Sequence, residues 1–210
     1  AGQQVASAAE VAAQTAVLKR SEKFHGSHQN GVELELQTFT NFISLDIHAD
    51  TDRSAMKRWM KILTDDIERL TSGQAILADA QPQLALGPAR LTVTVGFGPS
   101  LFKKLGLESQ QPESLKDLPA FKVDALREEF SGGDVLLHAS ADDPVVLSHA
   151  VRSLISDSMA FATVHWTQQG FSNAQGVVPH GVRQRNLMGQ VDGTDNPQFG
   201  TDDFANLVWI

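Results

Sequence analysis

The sequence predicts an α+β fold in which two β-α-β passes share one antiparallel sheet. Three observations carry this prediction. Four short stretches have strand-like alternation or β-rich composition, two capped amphipathic helices separate them in pairs, and glycine-rich punctuation divides the chain into two similar passes.

The first predicted strand runs from Phe39 to His48, where Ile43, Leu45 and Ile47 alternate with Ser44, Asp46 and His48. Asp50-Thr51-Asp52 then supplies N-cap candidates. Met56, Trp59, Met60, Leu63, Ile67 and Leu70 follow at spacings of three and four, which is one apolar helix face, and Gly73 closes it. Leu91–Val95 is the second predicted strand. A loop-rich insertion with a short helix at Ser100–Leu105 extends to Gly132-Gly133. Asp134–Ser140 is the third strand. Asp143-Pro144 caps a second helix with the stripe Val146, Leu147, Ala150, Val151, Leu154 and Ile155, and Ala162–Gln168 is the fourth strand. Right-handed crossovers then place both helices on one face of a four-stranded sheet, the ferredoxin-like βαββαβ arrangement. The expected organisation is an N-terminal arm and loop over 1–38, the ferredoxin-like unit over 39–170, and a separate C-terminal segment over 171–210. The arm, Ala1–Lys19, reads as an extended or helical surface segment. Asp203–Ile210 reads as a strand beginning.

Composition narrows function. Over 210 residues, 41% hydrophobic and 20% charged side chains are enough for one sizeable core. No apolar run reaches the roughly 20 residues that cross a bilayer. A net charge of −8 and a pI of 5.3 argue against a non-specific nucleic-acid binder, which needs a basic face. With no cysteine, this chain supplies no disulfide, zinc–thiolate site, iron–sulfur ligand or thiol nucleophile. There is no tyrosine either, so Trp59, Trp166 and Trp209 are its readily oxidised aromatics. A start at Ala1 without a signal peptide fits a processed, exported protein, and equally a trimmed chain.

Most candidate sites have a bland reading. His25 and His28 are three apart in a glycine-punctuated loop without further ligands at a recognisable spacing. His48, His138 and His165 read as sheet-face residues, His149 as a helix residue, and His180, beside Arg183 and Arg185, as a partner for an anionic group. Gly96-Phe97-Gly98-Pro99-Ser100 lacks a phosphate-loop frame and serves backbone geometry. Asp65-Asp66 reads as part of a solvated helix face, and Asp142-Asp143 as a capping pair. Asp192-Gly193-Thr194-Asp195-Asn196-Pro197, on composition, is a turn.

One constellation goes further. Gly189-x-x-Asp192-Gly193 within NLMGQVDGTDNP resembles the G-x-x-D-G signature of dye-decolourising peroxidases. Three stretches resemble the same family in the same order: Phe24–Gln29, Val95–Phe102, and Gly132–Leu137 with Ala141–Pro144. The version is similar to the exported bacterial type, with Gln190-Val191 and Asp195 as departures. The resemblance implies the first of two ferredoxin-like units of a dimeric α+β barrel, a haem b cofactor, and oxidation of dyes, phenols or similar organic reductants by hydrogen peroxide. It implies Asp192 as the distal acid/base, with Gly193, Thr194, Asp195, Gln190 and Val191 along the haem. An aspartate in that role predicts activity at acid pH, where a histidine base would be protonated. The family's iron-ligating histidine and distal arginine lie in the second unit, so no metal ligand is assigned here. A companion chain or segment carrying that unit is therefore an expected partner, and a homo-oligomer is a further expectation. The alternative reading is a haem- or iron-handling protein of an uptake system, in which haem is cargo. A ferredoxin-like module without cofactor is the third.

Overall fold

A computed structural model describes residues 20–174, 177–179 and 182–209. Its central element is a four-stranded antiparallel sheet in the order β2-β3-β1-β4, with β1 Phe39–Ile47, β2 Thr92–Phe97, β3 Val135–Ala141 and β4 Ala162–Phe171. The long helices α1 (Arg53–Thr71) and α3 (Pro144–Ser158) provide the two crossovers, and the short α2 (Pro99–Lys104) follows β2. The predicted ferredoxin-like unit is therefore present, with no strand end displaced by more than three residues.

Both long helices begin and end where the sequence chemistry dictates. Asp52 accepts the N–H of Ala55 at 2.7 Å and starts α1. At its end Gly73 has φ +77° and donates to Leu70 O, while Gln74 donates to Arg69 O. That pair of bonds is a Schellman closure, which the left-handed glycine permits. Asp143 accepts from Val145 and Val146 at 2.9 Å each, and Pro144 opens α3.

The core lies between the helices and one sheet face. Ile43, Leu45, Val135 and Leu137 from the strands meet Trp59, Leu63, Leu70 and Leu154 from the helices, all of them buried. The alternating residues Phe42, Ser44, Leu136, His138, Trp166 and Gln168 occupy the opposite face, which carries neither long helix and is approached by the short 3-10 turn Glu128–Phe130. There Phe42 stacks on His138 with ring centroids 4.3 Å apart, and a cavity of about 390 Å³ opens between Phe42, Phe130, Leu136, Trp166 and Gln168.

The C-terminal segment departs from the expected strand. Asp202–Val208 is a helix, α4, in which Thr201 caps the N–H of Phe204, and Asp202 and Asp203 occupy the first turn. A hydroxyl cap and two carboxylates at the positive end of the helix dipole outweigh the β-leaning Leu207-Val208 pair. Ala1–Lys19 and His180 lie outside the described residues.

Candidate functional site

The motifs singled out in the sequence separate into a supporting group and one exposed loop. Gln29 lies beside the outer edge of β2, where its Oε1 accepts from Val95 N and its Nε2 donates to Val95 O, both at 2.9 Å. One side chain thus satisfies an edge residue that would otherwise invite another strand. Gly98 and Gly133 permit a close crossing: a Cβ on Gly98 would lie 2.3 Å from Gly133 O. Asp134, fully buried, accepts from Ser100 Oγ at 2.6 Å, Lys104 Nζ at 2.6 Å and Ile47 N at 2.8 Å. It ties β1, α2 and β3 together, a role that the sequence reading missed. Asp142 does not cap α3. It accepts from Thr38 N and from Arg90 Nη1, and Arg90 also holds Glu22 at 2.7 Å.

The exposed loop carries the predicted site. Arg185 and Val191 form an antiparallel bridge, and Asn186 sits at the centre of the tight connection between them. Its Oδ1 accepts from Met188 N and Gln190 N, its main-chain N–H donates to Gln190 O, and its Nδ2 donates to Asp192 Oδ1 at 3.1 Å. Asp192 N donates to Gln184 O at 3.0 Å, and Arg185 donates to Gly189 O at 2.6 Å. Gly189 and Gly193 adopt φ +82° and +70°, so both glycines of the G-x-x-D-G pattern occupy left-handed backbone. At Gly193 a Cβ would meet Asn196 Nδ2 at 3.1 Å and stand 3.6 Å from an Arg183 guanidinium nitrogen.

Gln190, Val191, Asp192, Thr194 and Asp195 are exposed, and Gly193 is half-buried. One carboxylate oxygen of Asp192 is held by Asn186, while the other accepts no hydrogen bond from the described residues. The arrangement can present a fixed carboxylate in a hydrogen-bonded loop that also carries Arg183 and Arg185. Asn186, which orients the Asp192 carboxylate, is a residue that the sequence reading passed over, although an asparagine opening a glycine-containing turn is a recognisable signal.

The described histidines are engaged elsewhere. His25 pairs with Glu68 at 2.9 Å, His165 with Asp46 at 2.6 Å and His149 with Asp79 at 3.0 Å. His48 bonds Thr163, His138 bonds Thr40 while stacking on Phe42, and His28 stacks on Trp209. Burial pushes the His138 imidazole below its ordinary range. His165 occupies the extra position of a β4 bulge, which turns its ring toward Asp46.

The tryptophans differ in setting. Trp59 is fully buried, donates to Ser158 Oγ at 3.2 Å and belongs to the core. Trp166 is half-buried and donates to Gly132 O. Trp209, also half-buried, stacks on His28 at 3.6 Å and donates to the Glu33 carboxylate, which joins the end of the site segment to the N-terminal loop.

A four-stranded sheet with both long helices packed on one face, followed by a glycine-framed carboxylate loop, defines a ferredoxin-like α+β protein. The chain belongs to the Dyp-type peroxidase family, whose N-terminal model matches residues 29–172. A dye-decolorizing peroxidase of Thermobifida fusca is 34% identical over 177 residues, covering 80% of this chain and 41% of that protein. A deferrochelatase of Escherichia coli K12 is 30% identical, covering 91% of this chain and 48% of that protein. Among solved structures, a DyP-type peroxidase from Cellulomonas bogoriensis superposes with a TM-score of 0.83 at 43% identity, over 87% of this chain and 51% of that one. Ferric DtpA from Streptomyces lividans superposes with a TM-score of 0.85 at 38% identity, over 91% of this chain and 52% of that one. The chain thus spans about half the length of the relatives it matches.

Proposed function

We propose that this chain provides the acid/base half of a haem peroxidase that reduces hydrogen peroxide and oxidises dyes, phenols or similar organic reductants. The observation that carries the reading is Asp192, fixed by Asn186 in a G-x-x-D-G loop of a family member. The residues fit one side of a haem b. Gly193 lets the backbone approach a flat ring closely, Gln190, Val191, Thr194 and Asp195 are exposed beside it, and Arg183 and Arg185 are available to propionates. When bound, the haem would supply the redox-active iron at which peroxide is reduced. With haem bound, Asp192 would accept a proton from one peroxide oxygen and return it to the other, so that the O–O bond breaks with one oxygen leaving as water and the second reduced to water by two electrons and two protons from the organic reductant.

The iron ligand and the distal arginine belong, in this proposal, to a companion segment carrying the second ferredoxin-like unit. The sheet face opposite the long helices, with Phe42, Leu136 and Trp166 only partly covered, supports that placement, because a half-covered apolar sheet favours a second layer. An exported location and a homo-oligomer are parts of the same reading, on the family resemblance. A second reading, haem as iron cargo, is favoured by the deferrochelatase relatives. Peroxide-driven turnover without iron release supports the peroxidase, and peroxide-independent release of iron supports the cargo protein.

The test is Asp192→Asn in the full haem-loaded protein. Soret absorbance should be unchanged, while the first peroxide-dependent spectral change slows roughly 10²–10⁴-fold. An unchanged rate would remove Asp192 from the role of base.

A further inference from the structure

A cleft of about 830 Å³ lies on the helical side of the molecule, bounded by residues 22–25, α1, the 74–78 loop and Asp157 of α3. Its floor contains an arrangement that the site chemistry does not use. Asp66 of α1 and Asp157 of α3 both line it, and their carboxyls are within hydrogen-bonding reach of each other. The sequence placed Asp66 on a solvated face, but it is half-buried. Asp157 Oδ2 is buried and takes no donor from the described residues. Two facing carboxylates repel, and a buried oxygen without a donor is costly. A single shared proton resolves both problems, because the protonated carboxyl then donates to the ionised one.

The neighbouring cations do not do this work. On the wall formed by residues 22–25, Arg90 engages Glu22 and His25 engages Glu68 of α1, while Lys23 makes no ion pair to either aspartate. Behind Asp157 a smaller cavity of about 180 Å³ contains Asp79, His149 and Arg152. There His149 holds Asp79, and Arg152 bonds Ser148 and Gln81. On α1, Arg69 offsets the charge of Asp66, and Asp65 adds to it. Asp157 is also the next-to-last residue of α3, where the negative end of the helix dipole disfavours a carboxylate. We infer that Asp66 and Asp157 hold one proton between them and so clasp the C-terminal parts of α1 and α3, and that loss of this proton loosens the clasp under the cleft. Burial, then the charge and hydrogen bond of Asp66, push Asp157 up to about 6, which places the release between mildly acid and neutral pH.

The inference is independent of haem and of the peroxidase reading. It is tested in the full-length protein by following the aspartate side-chain carboxyl ¹³C shifts from pH 3 to 8, with Asp157→Asn used for assignment. Asp157 should titrate near 6, and amides at the ends of α1 and α3 should exchange faster above that pH. The melting temperature should fall by roughly 3–6 °C between pH 5 and 7.5. Asp157→Asn, whose amide donates to Asp66 at every pH, should lose that fall. An Asp157 carboxyl titrating near 4, or parallel melting profiles for the two proteins, overturns the clasp. If Asp157→Asn does not fold, the titration of Asp66→Asn and wild type decides: the Asp157 resonance is then the shifted one that persists beside an asparagine donor and moves down.

Discussion

Asn186 donates from Nδ2 to Oδ1 of Asp192 at 3.1 Å while its own Oδ1 receives two main-chain N–H groups. The asparagine is thus locked by the turn that it builds, and the carboxylate inherits that fixed orientation. In its proposed role as proton carrier, Asp192 would benefit from such a hold, because misorientation lowers the fraction of encounters in which an oxygen faces the peroxide.

Replacing the amide tests this directly. Asn186→Ala should leave the Soret band in place and slow the peroxide step by roughly tenfold, since a hydrogen bond to a charged group contributes about 1.5–3 kcal/mol. The effect should appear in the peroxide rate and not in the KM for the reductant. A variant that loses thermal stability alone, with the peroxide rate intact, would assign Asn186 a purely structural role.

A second expectation concerns Gly133, which has φ +119° and whose absent Cβ would stand 1.9 Å from Ser44 Oγ. Gly133→Ala should destabilise the fold by roughly 2–4 kcal/mol through backbone strain and overlap together. Adding Ser44→Gly removes the overlap and not the strain, so denaturant unfolding of the double variant should recover part of the loss. Full recovery would show that the backbone angle is tolerated.

These residues also show how far the fold could be read in advance. The stripe Trp59, Leu63, Ile67, Leu70 and the caps Asp52 and Asp143 act within a few residues of themselves, so sequence spacing exposes them. The C-terminal helix was legible too, in Thr201-Asp202-Asp203, but the β-leaning Leu207-Val208-Trp209 masked it. The Asp66–Asp157 contact and the three-way hold on Asp134 were not legible. Each depends on which elements become neighbours, and a lone aspartate in a helix or at a strand start looks the same with or without such a partner. The glycine pattern around Asp192 was legible through family likeness, whereas its orientation by Asn186 is a matter of turn geometry.

The tryptophans give a third prediction. With Trp59 in the core, the proposed oxidation of bulky dyes at the surface would fall to Trp166 and Trp209, both half-buried. Trp209→Phe or Trp166→Phe should slow a bulky dye several-fold more than a small phenol in steady-state assays with peroxide. Equal losses on both substrates would indicate packing damage, because a tryptophan also contributes large apolar contacts.

The last prediction is a stability maximum on the acid side of neutrality, set by two aspartates of opposite sign. Asp79 is buried; burial alone would raise it, but the hydrogen bond from His149, the N–H of Gln81 and the charge of Arg152 outweigh that and hold it below 3.8. A depressed carboxyl contributes stability above its unfolded value and loses it as pH falls through the folded one. Asp157 runs the other way. Its folded value of about 6 lies above 3.8, so the native state binds more protons in that interval and stability declines as pH rises through it. Both contributions are fully present only near the unfolded carboxyl value, which places the highest melting temperature at roughly pH 4. Asp79→Asn should flatten the acid limb of the profile and leave the limb between pH 5 and 7 unchanged, while Asp157→Asn should do the reverse. Calorimetric scans at half-unit pH steps separate the two. A maximum at pH 7 or above, or both variants flattening the same limb, would show that other groups govern the pH dependence of this fold.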